Sequence, residues 1–195
     1  MKRILFVLLA LFIGFTSAYA QQDEKKAAKE EAKAQKQKEK EAKKALEAAQ
    51  QLADFNAAVV ALNNGSFVLE ADKVEFKRGT FINVIPTTNF VMQEGEDATV
   101  QLSFNGAAIG PNGVGGLTVD GHVSKPELTT DKKGNIHYSF MINGVGISAS
   151  ITITLPNGTN YCTATVTPNF NSTRTSFSGY LKPKNRAKVH KGMAF

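Results

Sequence analysis

The segment 135–167 most constrains the fold, because apolar and polar residues alternate through it and the dipeptides Asn143-Gly144 and Asn157-Gly158 interrupt it. Asn-Gly favours the two-residue turns of β-hairpins, since both residues tolerate a positive φ. Alternation places every second side chain on the same face of a strand. The segment therefore predicts a three-stranded antiparallel meander with one apolar face.

Turns at the two dipeptides fix the strand register that we predict. The first turn pairs Phe140 with Ile147, and the second pairs Ile151 with Ala164. A slip by one residue would exchange the two faces, so the assignment of the faces is strongly specified. The face opposite the apolar one is predicted to be solvated and carries His137, Ser139, Ser148, Ser150, Thr152, Thr154, Thr163 and Thr165.

Shorter alternations on both sides of the meander predict further strands. They are Phe67 with Leu69, Val74 with Phe76, Phe81 to Ile85, Phe90 with Met92, Val100 to Phe104, Leu117 to Val123, a strand beginning at Leu128, and Phe177 to Leu181. Turns are predicted at 94–97 and 131–135. A total of about eight to ten short antiparallel strands is typical of a β-barrel or a β-sandwich, so the chain is predicted to be mainly β.

The N-terminal part of the chain is predicted to be helical. Residues 21–44 are rich in Lys, Glu and Ala, which are good helix formers, and are predicted to form a charged helical arm or tether. From residue 45 an apolar stripe follows at helical spacing and predicts that the end of the helix packs on the β domain. The stripe comprises Leu52, Phe55, Val59 and Leu62, and Asn63-Asn64-Gly65 predicts the helix stop.

The first twenty residues resemble a secretory signal peptide. Lys2 and Arg3 precede an apolar run from Ile4 to Phe15, and small residues end at Ala20. The apolar run is shorter than the roughly 20 residues of a membrane span, so no span is expected in the mature protein. No cysteine lies directly after the run, where a lipid would be attached. We therefore expect an exported, soluble protein that is not a lipoprotein.

Motifs of catalysis or metal binding are not evident in the sequence. The glycine-rich segment 105–116 lacks the Gly-Lys-Ser/Thr of a phosphate loop and is predicted to be a loop between strands. The three histidines are His122, His137 and His190, and none has a Cys or His three or four residues away, as metal sites commonly do. Asp120 shares a face with His122 simply because the two lie two residues apart in a strand. We therefore expect no enzyme activity, no cofactor and no metal.

The single cysteine and the aromatic residues each have two interpretations, as core residues or as residues of a functional site. Cys162 is the only cysteine and falls on the predicted apolar face, which indicates an inert core thiol. The aromatic residues favour an ordinary core, with the lining of an apolar cavity as the alternative. They are Phe67, Phe76, Phe81, Phe90, Phe104, Tyr138, Phe140 and Phe177.

The basic C-terminal end is the candidate binding element of the sequence. The formal net charge of the whole chain is +6, and the segment 182–191 carries basic residues without any acid. A local excess of cations attracts anionic polymers or lipids within a Debye length. The candidate anion-contacting residues are Lys182, Lys184, Arg186, Lys188 and Lys191.

The stretches 67–72, 84–92 and 177–181, which read FVLEAD, VIPTTNFVM and FSGYL, resemble an exported family of domains of unknown function from gut-type Bacteroidetes. The resemblance covers about residues 45–185. It implies a signal peptide followed by one β-rich domain and a Gram-negative envelope, hence a periplasmic or surface location. It implies no activity and no functional residues.

Together these features predict a domain order and a function class. The predicted segments are a signal peptide (1–20), the charged arm (21–44), a helix-capped antiparallel β domain (45–182) and a basic tail (183–195). The predicted function is a non-enzymatic envelope binding or interaction module. Alternatives are a barrel that carries a small apolar ligand and a hydrolase of envelope polymers. An anionic polymer or lipid surface, or a protein, is the expected partner, and no nucleic acid is expected.

Overall fold

Nine β-strands and one long α-helix form in the part of the chain that the structure, a computed structural model, describes. That part comprises residues 2–104, 113, 115–145, 147–170 and 173–194, with helix side chains described at 29, 30 and from 33 onward. The elements are α1 (Lys2–Asn63), β1 (Ser66–Phe76), β2 (Phe81–Asn83), β3 (Phe90–Glu94), β4 (Asp97–Ser103), β5 (Gly116–Thr130), β6 (Ile136–Gly144), β7 (Ile147–Leu155), β8 (Tyr161–Pro168), β9 (Thr175–Pro183) and a 3-10 helix (Lys184–Arg186).

The strands close into an antiparallel barrel. Neighbours in the sheet follow the order β1, β3, β4, β5, β6, β7, β8 and β9, and β9 pairs again with β1, where Leu69 faces Leu181. The short strand β2 adds to β1 outside this ring. The predicted mainly β fold with an N-terminal helix is confirmed, and of the two predicted architectures the barrel is present.

Two predicted pairs of strands are single long strands. Strand β1 has a register shift between Ala71 and Lys73, and β5 has one between Ser124 and Glu127. In β5 the irregularity includes Lys125, whose φ is +51°. An extra residue at a bulge interrupts the alternation of faces, and the sequence pattern therefore looked like the end of one strand and the start of another.

The faces of the predicted meander are confirmed. Inward side chains such as Ile142, Ile151 and Ile153 are 0% exposed, whereas the Ser and Thr side chains of the opposite face are exposed or half-buried. The predicted turns at 94–97 and 131–135 are also present, with Glu94 paired to Asp97. Alternation was therefore a sufficient signal for which side of each strand faces the core.

The predicted turn at Asn143-Gly144 is wrong. Gly144 pairs with Ile147, and Phe140 faces Ile151 rather than Ile147, so the reversal follows Gly144. Residue 146 lies outside the described residues. A Cβ on Gly144 would lie 2.1 Å from the carbonyl oxygen of Asp120. Glycine is thus required here by the close approach of β5 and β6, not by a turn.

In the second hairpin the predicted residues do form a turn. The connection between β7 and β8 is, however, longer than the predicted two residues. Asn157 and Gly158 are the central residues of a turn in which the Thr159 N–H donates to the Pro156 carbonyl at 3.4 Å, and Gly158 has a φ of +79°. However, Ile151 faces Val166 instead of Ala164. Moving a partner by two residues keeps every side chain on its face, so alternation could not distinguish the two registers.

The end of α1 packs on the barrel. The chain forms two compact units, 1–49 and 50–195, and the last turns of α1 belong to the second unit. Ala58, Ala61 and Leu62 are buried in the barrel core, and Phe55 and Val59 pack against it. Leu52 is 55% exposed, so its predicted place in the contact is wrong, because the docked stripe begins one turn later. The predicted helix stop is confirmed, since α1 ends at Asn63.

The barrel has two distinct ends. The end near the start of β1 carries the last turns of α1, as the cleft between Leu62, Gln93, Leu128 and Tyr138 shows. We call the opposite end the loop end, and it consists of the described residues of five connections, namely 77–80, 84–89, 104 with 113 and 115, 145, and 169, 170, 173 and 174. Most of the glycine-rich segment 105–116, which was predicted to be a loop, lies outside the described residues, as do residues 171 and 172.

Candidate binding surface

The barrel interior is filled by apolar side chains. Phe67 and Tyr138 pack edge to face with ring centroids 5.8 Å apart, and Phe140 and Phe177 are each 2% exposed. The remaining candidates from the aromatic set lie elsewhere: Phe76 is only partly buried, Phe90 belongs to a separate cluster, and Phe81 and Phe104 are 56% and 43% exposed. The predicted core role is therefore confirmed for Phe67, Phe90, Tyr138, Phe140 and Phe177 and is wrong for the exposed Phe81 and Phe104. The alternative, in which all of these aromatic residues line one cavity, disagrees with their positions on different faces of the strands and in connections.

Two tyrosines whose pKa values are raised are held by hydrogen bonds. The Tyr138 hydroxyl donates to Gln93 Oε1 at 2.9 Å, and burial raises its pKa. The Tyr161 hydroxyl donates to Asp72 Oδ1 at 2.9 Å, and burial, followed by the neighbouring Asp72 carboxylate, raises its pKa to about 12. Both groups stay protonated at neutral pH and act as structural donors.

The predicted inert role of Cys162 agrees with its position. Its side chain is 2% exposed in the barrel core, and burial raises the pKa of the thiol far above its usual range. A nucleophilic thiol requires an exposed, electropositive setting that stabilises the thiolate. Cys162 has the opposite surroundings.

The C-terminal segment 184–194, which we call the C-terminal strap, lies on the outer face of the barrel. Its residues Ala187 and Val189 pack on a second apolar cluster formed by Val68, Phe90 and Met92. Further along the strap, the backbone N–H of His190 donates to the Thr87 carbonyl at 2.7 Å. The strap thus covers apolar surface that β1 and β3 would otherwise expose.

The predicted anion-contacting residues divide into two groups in the structure. Lys182 lies 2.5 Å from Glu70, Lys184 lies 3.1 Å from Glu94, and Lys191 lies 2.7 Å from Asp120. Lys188 donates its backbone N–H to Glu70 Oε1 at 2.8 Å, while its side chain and that of Arg186 are exposed. Ion pairs to carboxylates of the barrel hold the first group, and those of Lys184 and Lys191 anchor the strap.

A cleft of about 540 Å³, whose lining includes Asp97, Asp120, His122, Val145 and Lys191, lies beside the end of the strap. Asp120 accepts a hydrogen bond from the Thr99 hydroxyl at 2.5 Å and forms an ion pair with Lys191. His122 Nδ1 lies 2.8 Å from Asp97 Oδ1, with the two side chains 84% and 73% exposed. His122 is therefore oriented by Asp97 and not by Asp120. Both side chains of this pair are open to water.

Metal binding finds no support in the side chains that the structure describes. Among those side chains, no group of three or more His, Cys, Asp and Glu is arranged to hold an ion. His137 lies 3.6 Å from Asp131, and His190 uses its backbone to hold the strap.

Exposed apolar side chains concentrate at the loop end. Of the eleven large apolar side chains that are exposed among the described residues, six lie there and project from its connections or the adjacent strand residues. We call these six the apolar rim: Phe81 (56% exposed), Ile85 (50%), Phe104 (43%), Leu117 (49%), Val145 (77%) and Phe170 (82%). An apolar concentration of this kind on one end of a folded domain is characteristic of an interaction surface.

The connections of the loop end carry basic residues, whereas acidic residues lie on the neighbouring strands, as Asp97 and Asp120 do beside Val145. The sequences of its connections contain Lys77, Arg78 and Arg174 and no Asp or Glu. Arg78 and Arg174 are exposed. Lys73 Nζ lies 4.3 Å from the centre of the Phe81 ring, and Glu75, which is near it on β1, forms an ion pair with Lys73 at 4.0 Å. Sequence reasoning missed this surface, although the position of Phe104 and Phe170 in Asn- and Gly-rich connections was a usable signal.

The described residues include no helix that is long and apolar enough to cross a membrane. The comparison with curated proteins finds no match. Among solved structures, the crystal structure of a DUF4251 family protein from Bacteroides eggerthii DSM 20697 aligns with 48% sequence identity and a TM-score of 0.62, covering 72% of this chain and 94% of that one. The family model of the domain of unknown function DUF4251 matches residues 47–181. This range includes strands β1 to β8 and all of β9 except its last two residues. This chain belongs to the DUF4251 family.

Proposed function

We propose that this protein is an exported, non-enzymatic binding module of a Gram-negative cell envelope and that it binds its partner through the loop end. The observation that carries the proposal is the apolar rim, which holds six of the eleven exposed large apolar side chains. Exposing these side chains to water is unfavourable by about 25 cal/mol for each Å² of apolar surface. A partner that covers them recovers this free energy.

The filled interior supports a partner outside the barrel. Side chains such as Ile151, Leu155 and Leu181 are 0% exposed and occupy the space in which a carrier would hold its ligand. The outer strand face offers mainly Ser and Thr hydroxyls, and several of these bond to one another, as Thr163 does to Ser178 at 3.0 Å. The loop end carries six of the eleven large apolar side chains that are exposed among the described residues.

Export is the second part of the proposal. Residues 1–20 carry the charge, the apolar run and the small residues of a signal peptide. The similar structure comes from Bacteroides eggerthii, a source consistent with the envelope that the proposal names. A protein that leaves the cytoplasm with an apolar rim would meet envelope components first.

Fractionation of host cells tests both parts. We expect mass spectrometry of the exported protein to give Gln21 as its first residue, and we expect the wild-type protein in the envelope fraction. The variant Phe81→Ser/Phe104→Ser/Phe170→Ser should shift to the soluble periplasmic fraction, because it loses the rim. The matched control is Val60→Ser, which removes a side chain that is 57% exposed on α1. Envelope retention that is equal in the rim variant and the control would overturn the proposal.

A further inference from the structure

The C-terminal strap lies in a groove on the outer face of the barrel, where side chains of β1, β3, β4 and β5 hold it. We call this surface the strap groove and define it by Val68, Glu70, Phe90, Met92, Gln101 and Asp120. Glu70 accepts the Lys188 N–H at 2.8 Å. Gln101 donates to the His190 carbonyl and accepts the Gly192 N–H, each at 2.8 Å. These contacts are made to backbone atoms of the strap, and main-chain hydrogen bonds provide affinity in the recognition of extended peptides.

The polar side chains of the strap groove are also held by the barrel itself. Gln101 accepts a hydrogen bond from the Thr118 hydroxyl at 2.9 Å, and Asp120 accepts one from the Thr99 hydroxyl at 2.5 Å. Glu70 forms an ion pair with the lysine of β9. Because these partners lie on strands of the barrel, they stay in place when the strap leaves. The strap groove is therefore preorganised, and a new segment that binds there pays little to order it.

The strap shows which kind of segment the groove fits. Lys184 and Lys191 pair with carboxylates of the barrel at 3.1 and 2.7 Å. Between these two cations lie Ala187 and Val189, which pack on the apolar side chains of the groove. The backbone of Ala187 is extended, and in an extended chain residues two apart face the same side. The groove therefore fits an extended segment with small apolar residues between two cations.

The strap is separable from the domain that carries the groove. The groove residues fall within 47–181, the range that the family model matches, whereas the strap lies beyond it. Its apolar contacts are made by the small side chains of Ala187 and Val189, and its cations Arg186 and Lys188 are exposed. A segment with few buried apolar contacts opens at a much lower free-energy cost than the barrel core.

We infer that the strap groove is a peptide-binding site, which the strap occupies within its own chain and which an extended basic segment of another protein takes when the strap detaches. This inference goes beyond the proposed function, because none of the groove side chains belongs to the apolar rim. A second copy of this chain is a poor occupant, since its strap would make the same contacts while the tethered strap has an effective concentration in the millimolar range. A foreign segment of the same pattern displaces the strap where its own contacts are stronger.

Fluorescence anisotropy with a labelled synthetic peptide of residues 184–194 tests the inference on the full chain. The strap variant Val189→Asp/Lys191→Glu removes an apolar contact and reverses the charge that faces Asp120, while every groove residue stays unchanged. We expect the peptide to bind this variant at least about tenfold more tightly than the wild-type chain, because the altered strap no longer competes for the groove. Equal affinity for the two chains would overturn the inference.

Matched controls separate the groove from a general attraction between charges. Arg186→Glu/Lys188→Gln lowers the net charge by the same amount as the strap variant but changes only exposed side chains of the strap, so it should bind the peptide like the wild-type chain. A second peptide that carries Val189→Asp and Lys191→Glu should bind the strap variant at least about tenfold more weakly than the unchanged peptide. Equal affinities of the two peptides, or equal gains in the strap variant and its control, would mean that the peptide does not bind in the groove.

The wild-type chain provides a second measurement that does not depend on the folding of the strap variant. The Gly192 N–H donates to Gln101 Oε1 and is released when the strap leaves the groove. Peptide at a millimolar concentration matches the effective concentration of a tethered segment and should clearly accelerate hydrogen exchange at Gly192. Exchange that is unchanged by the peptide would overturn the inference, whereas the loop end would keep its proposed role.

Discussion

The side-chain amide of Gln101 donates a hydrogen bond of 2.8 Å to the backbone carbonyl of His190 and so joins β4 to the C-terminal strap. The Gln101 side chain is 0% exposed, and its Nε2 also donates to the Thr88 carbonyl at 3.0 Å. Its Oε1 accepts from the Thr118 hydroxyl at 2.9 Å and from the Gly192 N–H at 2.8 Å. Both donors and both lone pairs of the amide are therefore used.

Replacing this buried amide should loosen the strap. We expect Gln101→Leu to lower the free energy of unfolding by about 2–4 kcal/mol, because the Thr88 and His190 carbonyls, the Gly192 N–H and the Thr118 hydroxyl all lose their hydrogen bonds to this buried amide. Urea unfolding measures the free energy of unfolding. The rate of hydrogen exchange at the Gly192 N–H, which donates to Gln101, measures how often the strap detaches. Gln51→Leu, an exposed position on α1, is the control, and equal stability of the two variants would contradict the prediction.

A side chain at position 144 should be far more harmful than one at position 158. In Gly144→Ala the new Cβ would meet the Asp120 carbonyl oxygen at 2.1 Å, whereas nothing lies within 4 Å of a Cβ at Gly158. Gly158→Ala therefore suffers only from its φ of +79°, a cost of about 1–2 kcal/mol. We expect Gly144→Ala to unfold at a clearly lower temperature in calorimetry, and the reverse order would refute the assigned register of β5 and β6.

The same glycine shows what the sequence could and could not predict. Alternation between Ile136 and Val166 was enough to assign the two faces of the meander, since burial acts on every second residue. It was not enough to assign the register, because moving a partner by two residues preserves the faces. Only the close approach of Gly144 to Asp120 distinguishes the observed register, and that contact joins strands whose pairing the sequence does not reveal.

The strap was predictable in composition but not in position. Its basic residues looked like a solvated tail, because their partners Glu70, Glu94 and Asp120 are remote in sequence and no local pattern links them.

The apolar rim was missed for a different reason. Phe81 and Phe104 were assigned to the core because they begin and end predicted strands of alternating residues, and at a strand end alternation no longer reports burial.

The turn after β5 should show a strongly acidic carboxyl group. Hydrogen bonds from the side chain and then the backbone of Asn135 lower the pKa of Asp131 from 3.8 to about 2. Because the folded-state pKa lies below the unfolded one, the stabilisation from this carboxylate is complete above pH 3.8 and is lost as the pH falls through about 2. NMR titration should show this value, and Asn135→Ala should move it toward 3.8; an unchanged pKa in that variant would rule out Asn135 as the cause.

The core thiol should be protected in the folded protein. Cys162 is 2% exposed and burial raises its pKa, so neither access nor thiolate is available. We expect iodoacetamide to leave the native protein unlabelled and to label one thiol per chain after unfolding in guanidinium. Rapid labelling under native conditions would mean that β8 opens on the timescale of the experiment.

The protected thiol also makes possible the most direct test of the loop end as the binding surface. An environment-sensitive dye would be attached to Phe170→Cys in one sample and to Val60→Cys in another, with Cys162 left in place, and envelope vesicles from the host would be added. The account predicts a blue shift of emission for the dye at position 170 and none at position 60. A shift at position 60 alone, or at neither position, would contradict it.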